Sequence, residues 1–246
     1  MKVAVLNLTG NVGKTTIAAN LLSPRMGNAP VIAVETLNDT TRELAGVKVE
    51  KYAGAQFSKL IERLILLDDA IIDVGASNVE LFLDGMVKHD EAKFEFDCFL
   101  VPVSDGIKEQ KDTMRTVAIL SGFGIPPEKI KLVFNRVKDD VSSEFGPILA
   151  FSEQHKLCTA DTKAAIFKNE LYSLLVLKQM TVTQVLADET DYKAEARSLP
   201  VDLDGEGKDR NARRRFECID RYTMKSMSKS TSRNLDQVFE ALFGNA

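Results

Sequence analysis

Leu6-Asn7-Leu8-Thr9-Gly10-Asn11-Val12-Gly13-Lys14-Thr15-Thr16 follows the apolar run Val3-Ala4-Val5-Leu6 and leads into the helix-prone stretch Ile17-Ala18-Ala19-Asn20-Leu21-Leu22. A strand feeding a Gly-Lys-Thr turn that opens a helix is the arrangement of a phosphate-binding P-loop. Gly10 and Gly13 let the backbone curl closely around an anion, and amides at a helix N-terminus point at phosphate oxygens. In that arrangement Lys14 sits against the β and γ phosphates, and the Thr15 hydroxyl is a ligand for Mg²⁺. The full pattern sets a glycine six residues before the lysine. Leu8 stands there instead. Gly13-Lys14-Thr15-Thr16 still has the strand before it and the helix after it that the phosphate reading requires and an ordinary glycine turn does not.

The chain has 246 residues, 44% of them hydrophobic, enough for one substantial α/β domain with a small C-terminal appendage. A net charge of -4 argues against a protein that coats nucleic acid over its whole surface, though a local basic patch is compatible with it. Cys98, Cys158 and Cys218 are widely spaced, form no Cys-x-x-Cys pair, and have only His89 and His155 as companion soft ligands, so a structural zinc site is not expected. Met1-Lys2 runs straight into a short strand, and no apolar segment reaches the ~20 residues needed to cross a bilayer. A cytoplasmic, reduced protein is expected.

Apolar runs with helical segments between them recur at Val3 to Leu6, Val31 to Val34, Ala70 to Val74, Cys98 to Val103 and Ile130 to Phe134. This rhythm predicts a mostly parallel P-loop NTPase sheet flanked by helices, class α/β. Phe57, Leu60, Ile61, Leu64 and Ile65, and again Val79, Phe82, Leu83, Met86 and Val87, repeat at helical spacing and read as core. A further helix is expected from Lys108 to Leu120, stopped by Ser121-Gly122. Beyond about residue 135 the reading turns helical, around Ser143 to His155, Asp161 to Leu175 and Val182 to Ala187, with Leu157-Cys158 as a short sixth strand. These segments make residues 1–200 a nucleotide-binding domain.

Residues 201–246 read as a linker, a basic segment and a C-terminal helix. Asp202-Leu203-Asp204-Gly205-Glu206-Gly207 is polar and glycine-bearing. From Lys208 to Arg233 nine Lys or Arg face three Asp or Glu, a net of +6 that leaves -10 for the rest of the chain. The last helix carries Leu235, Val238, Phe239, Leu242 and Phe243 on one stripe, with Gly244 as its stop.

Ile71-Ile72-Asp73-Val74 is an apolar strand closing on an acid at the carboxyl edge of the sheet, where open α/β folds bind ligands. With the loop, Asp73 reads as the acid that completes the Mg²⁺ site begun by Thr15. The run ending Val34-Glu35-Thr36-Leu37-Asn38-Asp39 reaches the same edge. Glu35 and Asp39 are candidates to orient an attacking water, or are simply polar groups of an emerging loop. Asn135, after Phe134, has the donor and acceptor pair that can read a base edge, or it caps a turn.

Asn7-Leu8-Thr9-Gly10-Asn11-Val12-Gly13-Lys14-Thr15-Thr16 resembles the deviant Walker A motif of the ParA/MinD family of partitioning and positioning ATPases, over about residues 1–140. The Asp73 strand and the Asn135-Arg136 strand end fall in that family's order. Within the family the short divergent form is most similar to StbB-like plasmid stability proteins. The resemblance implies a homodimer formed around ATP and Mg²⁺, slow hydrolysis to ADP, and positioning of plasmid DNA through a plasmid-encoded DNA-binding adaptor. It implies Gly10, Asn11, Val12, Gly13, Lys14, Thr15 and Thr16 as the phosphate cradle, Thr15 and Asp73 as metal ligands, and Asn135 as adenine reader. Two positions depart from the family. Its signature lysine belongs at position 9, where this chain has Thr9, and its Asp-x-Asp is here Glu35-Thr36-Leu37. Threonine cannot supply charge across an interface, so stabilisation from a partner subunit should be weaker or come from another residue.

In the basic segment Arg213, Arg214 and Arg215 could neutralise DNA phosphates without sequence preference, or the segment is a solvated connector. Two other functional readings stay open. One is a nucleotide-dependent scaffold that does not hydrolyse. The other is a P-loop kinase acting on a small molecule, for which no second pocket is evident.

Overall fold

The computed structural model describes residues 1–35, 47, 49–199 and 210–244. Its centre is a seven-stranded sheet in which every pairing is parallel, ordered β3-β2-β4-β1-β5-β6-β7. The strands are β1 (Lys2–Val5), β2 (Val31–Val34), β3 (Val49–Tyr52), β4 (Ala70–Val74), β5 (Cys98–Val103), β6 (Ile130–Val137) and β7 (Ala165–Phe167). The helices are α1 (Lys14–Ile17), α2 (Ser23–Arg25), α3 (Phe57–Ile65), α4 (Val79–Lys88), α5 (Ile107–Gly122), α6 (Val141–Glu144), α7 (Gly146–His155), α8 (Leu171–Lys178), α9 (Val182–Ala187), α10 (Tyr192–Ser198) and α11 (Arg210–Phe243).

Parallel strands lie under helices on both faces, so their residues are apolar without alternation. β2, β4 and β5 are buried along their whole length. One face packs Phe57, Leu60, Phe82 and Leu120 of α3, α4 and α5 against Ala4, Ile72 and Phe134. The other packs Ile17, Leu171, Val182 and Val238 against Val3, Val5, Ile71 and Val133. Successive strand side chains point to opposite faces. Asp73 therefore shares a face with Ile71, and Asn135 with Val133, which is the face that also carries Ile17 of the loop's own helix.

The sequence expectations need correction in four places. Strand β3, Val49-Glu50-Lys51-Tyr52, carries two charges, as an edge strand can, and hydrophobic patterning does not mark it. Leu157-Cys158 is not a strand: Thr159 makes only an isolated bridge to Lys131, and the outermost strand is Ala165–Phe167, inside the stretch expected to be helix. The helix there begins at Leu171.

The basic segment from Arg210 is not a connector before a short terminal helix. It belongs to α11, one helix of 34 residues and about 50 Å. Its buried positions are Cys218, Met224, Ser228, Thr231, Leu235, Val238 and Leu242, which from Met224 on follow a three-and-four spacing hidden in the sequence because two of them are polar. Gly244, φ 75°, ends it by donating to Glu240 O. The glycine-bearing stretch 202–207 lies outside the described residues. Among the described residues no helix is long and apolar enough to cross a membrane.

Candidate functional site

The loop after β1 is pinned by a buried polar side chain. Asn7 is fully buried, and both its amide protons and its Oδ1 are hydrogen-bonded. Nδ2 donates to Pro102 O at 2.8 Å and to Thr113 Oγ1 at 2.7 Å. Oδ1 accepts from the Thr9 amide at 3.0 Å, with Thr116 Oγ1, whose proton is given to Asp112 O at 2.8 Å, standing 3.3 Å away. Thr116 Oγ1 also accepts from the Leu8 amide. One residue thus ties the end of β1 to β5, to α5 and to the loop it launches, across the opening between two central strands.

The loop then turns with Asn11 at φ 59° and Gly13 at φ 90°, left-handed conformations that curl successive amides inward. Gly13 is required twice. Besides its φ, a Cβ there would stand 2.2 Å from Asn135 Nδ2. Lys14 begins the helix, so its first-turn amides have no intrahelical acceptor. Lys14 is 7% exposed, and its Nζ donates to Thr9 O at 2.9 Å and Asn7 O at 3.3 Å. Burial pulls its pKa below the usual lysine range, against the pull of Asp73.

The helix from Lys14 continues through a π-helical turn, Ala18–Leu22, into Ser23–Arg25. Pro24 explains the wide turn. It has no amide to give the Asn20 carbonyl, and its ring would crowd that oxygen. The Ser23 amide instead reaches back to Ala18 O, and Arg25 Nη1 donates to Asn20 O at 2.9 Å. π-turns of this kind are frequent at functional sites.

Thr15 Oγ1 donates to Asp73 Oδ2 at 2.5 Å. Asp73 is 3% exposed, and its Oδ1 is buried with no protein partner. Burial first, with the Glu35 carboxylate adding to it, pushes its pKa up to about 6, although Thr15 and Lys14 pull the other way. Glu35 Oε2 is likewise buried without a partner. Hard oxygen donors with an unpartnered buried lone pair suit Mg²⁺, which takes one or two carboxylates and completes its shell with phosphate and water. Among the described residues no cluster of three His, Cys, Asp or Glu forms a site of its own.

Asn135 Nδ2 donates to Val12 O at 2.8 Å, and its Oδ1 accepts from the Arg136 amide. Its amide spans the loop and the strand end, so the turn-capping role is visible in the structure. It also lines a cleft of ≈ 680 Å³ with Gly13, Thr16, Arg136, Lys168 and Tyr172. Arg136 holds φ 63° at the irregularity where β6 meets β7. The cleft lies directly beside the candidate phosphate cradle, on the side of β6.

Lys14, Thr15, Asp73, Glu35 and Asn135 are thus gathered at one edge of the sheet. Asp39 lies outside the described residues. Thr9 is 7% exposed, held by the Asn7 side chain and by Lys14. The three arginines sit elsewhere, at the start of α11. Arg213 is exposed; Arg214 donates to Glu195 Oε1 at 2.6 Å and to Glu217 Oε2 at 3.0 Å; Arg215 Nη2 donates to Leu199 O. Sequence reasoning missed Asn7, Asn20 and Arg25 as organisers. The available signal was an asparagine between two leucines at a strand end, and a proline followed by an arginine inside a helix.

No protein-family model matches the chain, and no curated protein matches its sequence. Solved structures do resemble it. The MinD cell division protein of Aquifex aeolicus aligns with TM-score 0.51 at 15% identity, covering 76% of this chain and 89% of that one. A chain of the Aquifex aeolicus MinC:MinD cell division protein complex gives 0.51 at 14%, covering 82% and 98%. Apo McdA of Cyanothece gives 0.51 at 16%, covering 75% and 92%. At such identities the likeness is one of fold. The seven-stranded parallel sheet and its flanking helices have the fold seen in the MinD and McdA structures.

Proposed function

We propose that this chain is a ParA/MinD-like ATPase that binds ATP or ADP with Mg²⁺ and works in the partition, stability or positioning of plasmid DNA. The observation that carries the nucleotide reading is the Thr15–Asp73 contact beside buried Lys14, next to a loop that turns through left-handed Asn11 and Gly13. Gly10 to Thr16 cradle the phosphates, Lys14 exchanges its two loop carbonyls for phosphate oxygens, and Asn135 faces the base. Thr15 and Asp73 hold the Mg²⁺, which when bound spreads the charge developing on the phosphates. Glu35, whose Oε2 is buried at the same edge, orients the attacking water.

The StbB-like role, the nucleotide-dependent homodimer and the DNA-bound adaptor extend this reading through the resemblance of the loop. Exposed Arg213 is the member of its triplet that would touch DNA first, since Arg214 and Arg215 already hold partners within the chain. Neutralising Arg213 should then lower DNA affinity and flatten its salt dependence.

Equilibrium binding of fluorescent ATP tests the foundation. Lys14→Ala should weaken it by about a hundredfold, the loss of charge-assisted contacts worth some 3 kcal/mol; equal affinity in the two proteins removes the proposal. One second reading has its own support. Thr9 replaces the signature lysine and is buried within the protomer, which favours a nucleotide-dependent scaffold without turnover. Mg²⁺-dependent phosphate release abolished by Asp73→Ala decides against the scaffold.

A further inference from the structure

Four positions of α11 between Thr231 and Asp236 are tied to the loop's own helix or to the wall of the cleft. Arg25, at the end of the loop's own helix, donates through Nε and Nη2 to Asp236 Oδ1 at 2.9 and 2.7 Å, and through Nη2 to Ser232 O at 3.0 Å. Asn169, which lines the cleft, donates to Thr231 Oγ1 at 3.0 Å. Asn234 accepts from the Phe167 amide and donates to Ala165 O, so it grips β7 next to that same cleft. No other part of α11 is joined to the loop helix and the cleft wall together among the described bonds.

The loop end of this connection is direct as well. Asn20, in the π-turn, donates to Thr16 O at 3.1 Å and accepts from the Val182 amide at 2.9 Å. Its own carbonyl is held by Arg25. Movement of Thr16 as the loop grips phosphate therefore reaches Asn20 in one hydrogen bond and Arg25 in two. The Arg25 fork is rigid and planar, so it passes a displacement on rather than absorbing it in a flexible stem. Its side chain is 14% exposed, which limits screening by water.

We infer that Arg25 and the Thr231–Asp236 stretch of α11 form a relay that reports nucleotide occupancy to the C-terminal helix. This rests on the nucleotide reading above and adds its output element. The helix so controlled carries Phe216, Ile219 and Tyr222 on its outer surface, at 69%, 48% and 48% exposure. A signal arriving at Thr231–Asp236 thus enters the element that presents the exposed apolar ridge.

Hydrogen–deuterium exchange on the full chain, with and without ADP and Mg²⁺, reads both ends at once. In the wild type the amides of the loop helix and of Thr231–Asp236 should slow together on adding nucleotide, by about fivefold or more. Asp236→Asn, at a carboxylate that is 62% exposed and therefore safe for folding, should keep the response of the loop helix and lose most of that in α11. Arg25→Gln should do the same, and Arg25→Lys should recover only part, because an ammonium cannot hold the carbonyls and the carboxylate as one fork. By reciprocity, Asp236→Asn should shift ADP affinity by the factor lost in α11.

A loop helix that slows while α11 does not overturns the relay and leaves nucleotide binding standing. An α11 response that survives in both variants overturns it too. If nothing slows and no ADP binds, the nucleotide reading itself fails and takes the relay with it.

Discussion

Thr15 and Asp73 lie 58 residues apart and meet through a 2.5 Å hydrogen bond from Thr15 Oγ1 to Asp73 Oδ2. The bond joins the helix after β1 to the central strand β4 and leaves Asp73 Oδ1 buried and unpartnered. The free chain therefore carries a carboxylate whose burial is not fully compensated, which is stability given up at a binding position.

That cost has a pH signature. The Asp73 pKa is pushed up from 3.8 to about 6, chiefly by burial. Between those values the folded protein keeps a proton that the unfolded chain has lost, so stability falls as pH rises from about 4 to about 6 and stays lower above. Two units correspond to about 3 kcal/mol. Asp73→Asn should raise Tm near neutral pH, leave it nearly unchanged near pH 4, and weaken Mg²⁺-dependent nucleotide binding. Calorimetry at both pH values checks this, and an equal Tm shift at the two would refute the buried-charge account.

Gly13→Ala combines a left-handed φ of 90° with a clash of 2.2 Å against Asn135 Nδ2. Together these should cost about 2–4 kcal/mol. Adding Asn135→Ala removes the clash but not the backbone strain, so the double variant should recover only part of the loss in a urea titration. Full recovery would show that φ carries no cost here; none would show that the amide gives way freely.

Asn7→Ala should be among the most destabilising single changes outside the apolar core, at about 3–5 kcal/mol, because it strands buried partners on β5, α5 and the loop together. Thr113→Val removes one of those bonds and keeps the shape, so about 1 kcal/mol is expected. A denaturation series that ranked the two equally would mean that the network does not act as a unit.

Asn234→Ala opens the edge of the sheet. β7 is an end strand, and the Asn234 side chain occupies its Phe167 amide and Ala165 carbonyl as a neighbouring strand would. Without that cap the unpaired edge becomes a template for association. Light scattering at rising concentration, without nucleotide, should detect self-association in the variant at concentrations where the wild type shows less. Identical curves would argue that α11 shields the edge by bulk alone.

Four of the five expected strand positions were legible within a residue at each end, and Ile130–Phe134 was found three residues short. Buried parallel strands are continuous apolar runs, and no competing helix pattern obscures them here. The edge strands were not legible. Val49-Glu50-Lys51-Tyr52 looks like loop because an edge meets water, and Ala165-Ile166-Phe167 is too short to establish a period of two. The α11 stripe escaped for the opposite reason: Ser228 and Thr231 hold buried places that a hydrophobicity pattern assigns to the surface.

Local chain chemistry alone determined the loop, its glycine turns, the strand that feeds it and the acid at the end of β4, because turn stereochemistry and short apolar runs act over a few residues. It also put Asp73 on the face of the loop's own helix, once Ile71 was known to point there. Tertiary structure decided the rest: Asn7 reaching Thr113 across 106 residues, Arg25 reaching Asp236 across 211, and the burial that raises the Asp73 pKa. Such contacts exist only when distant segments pack. No pattern within one segment carries the identity of the partner that packing will bring.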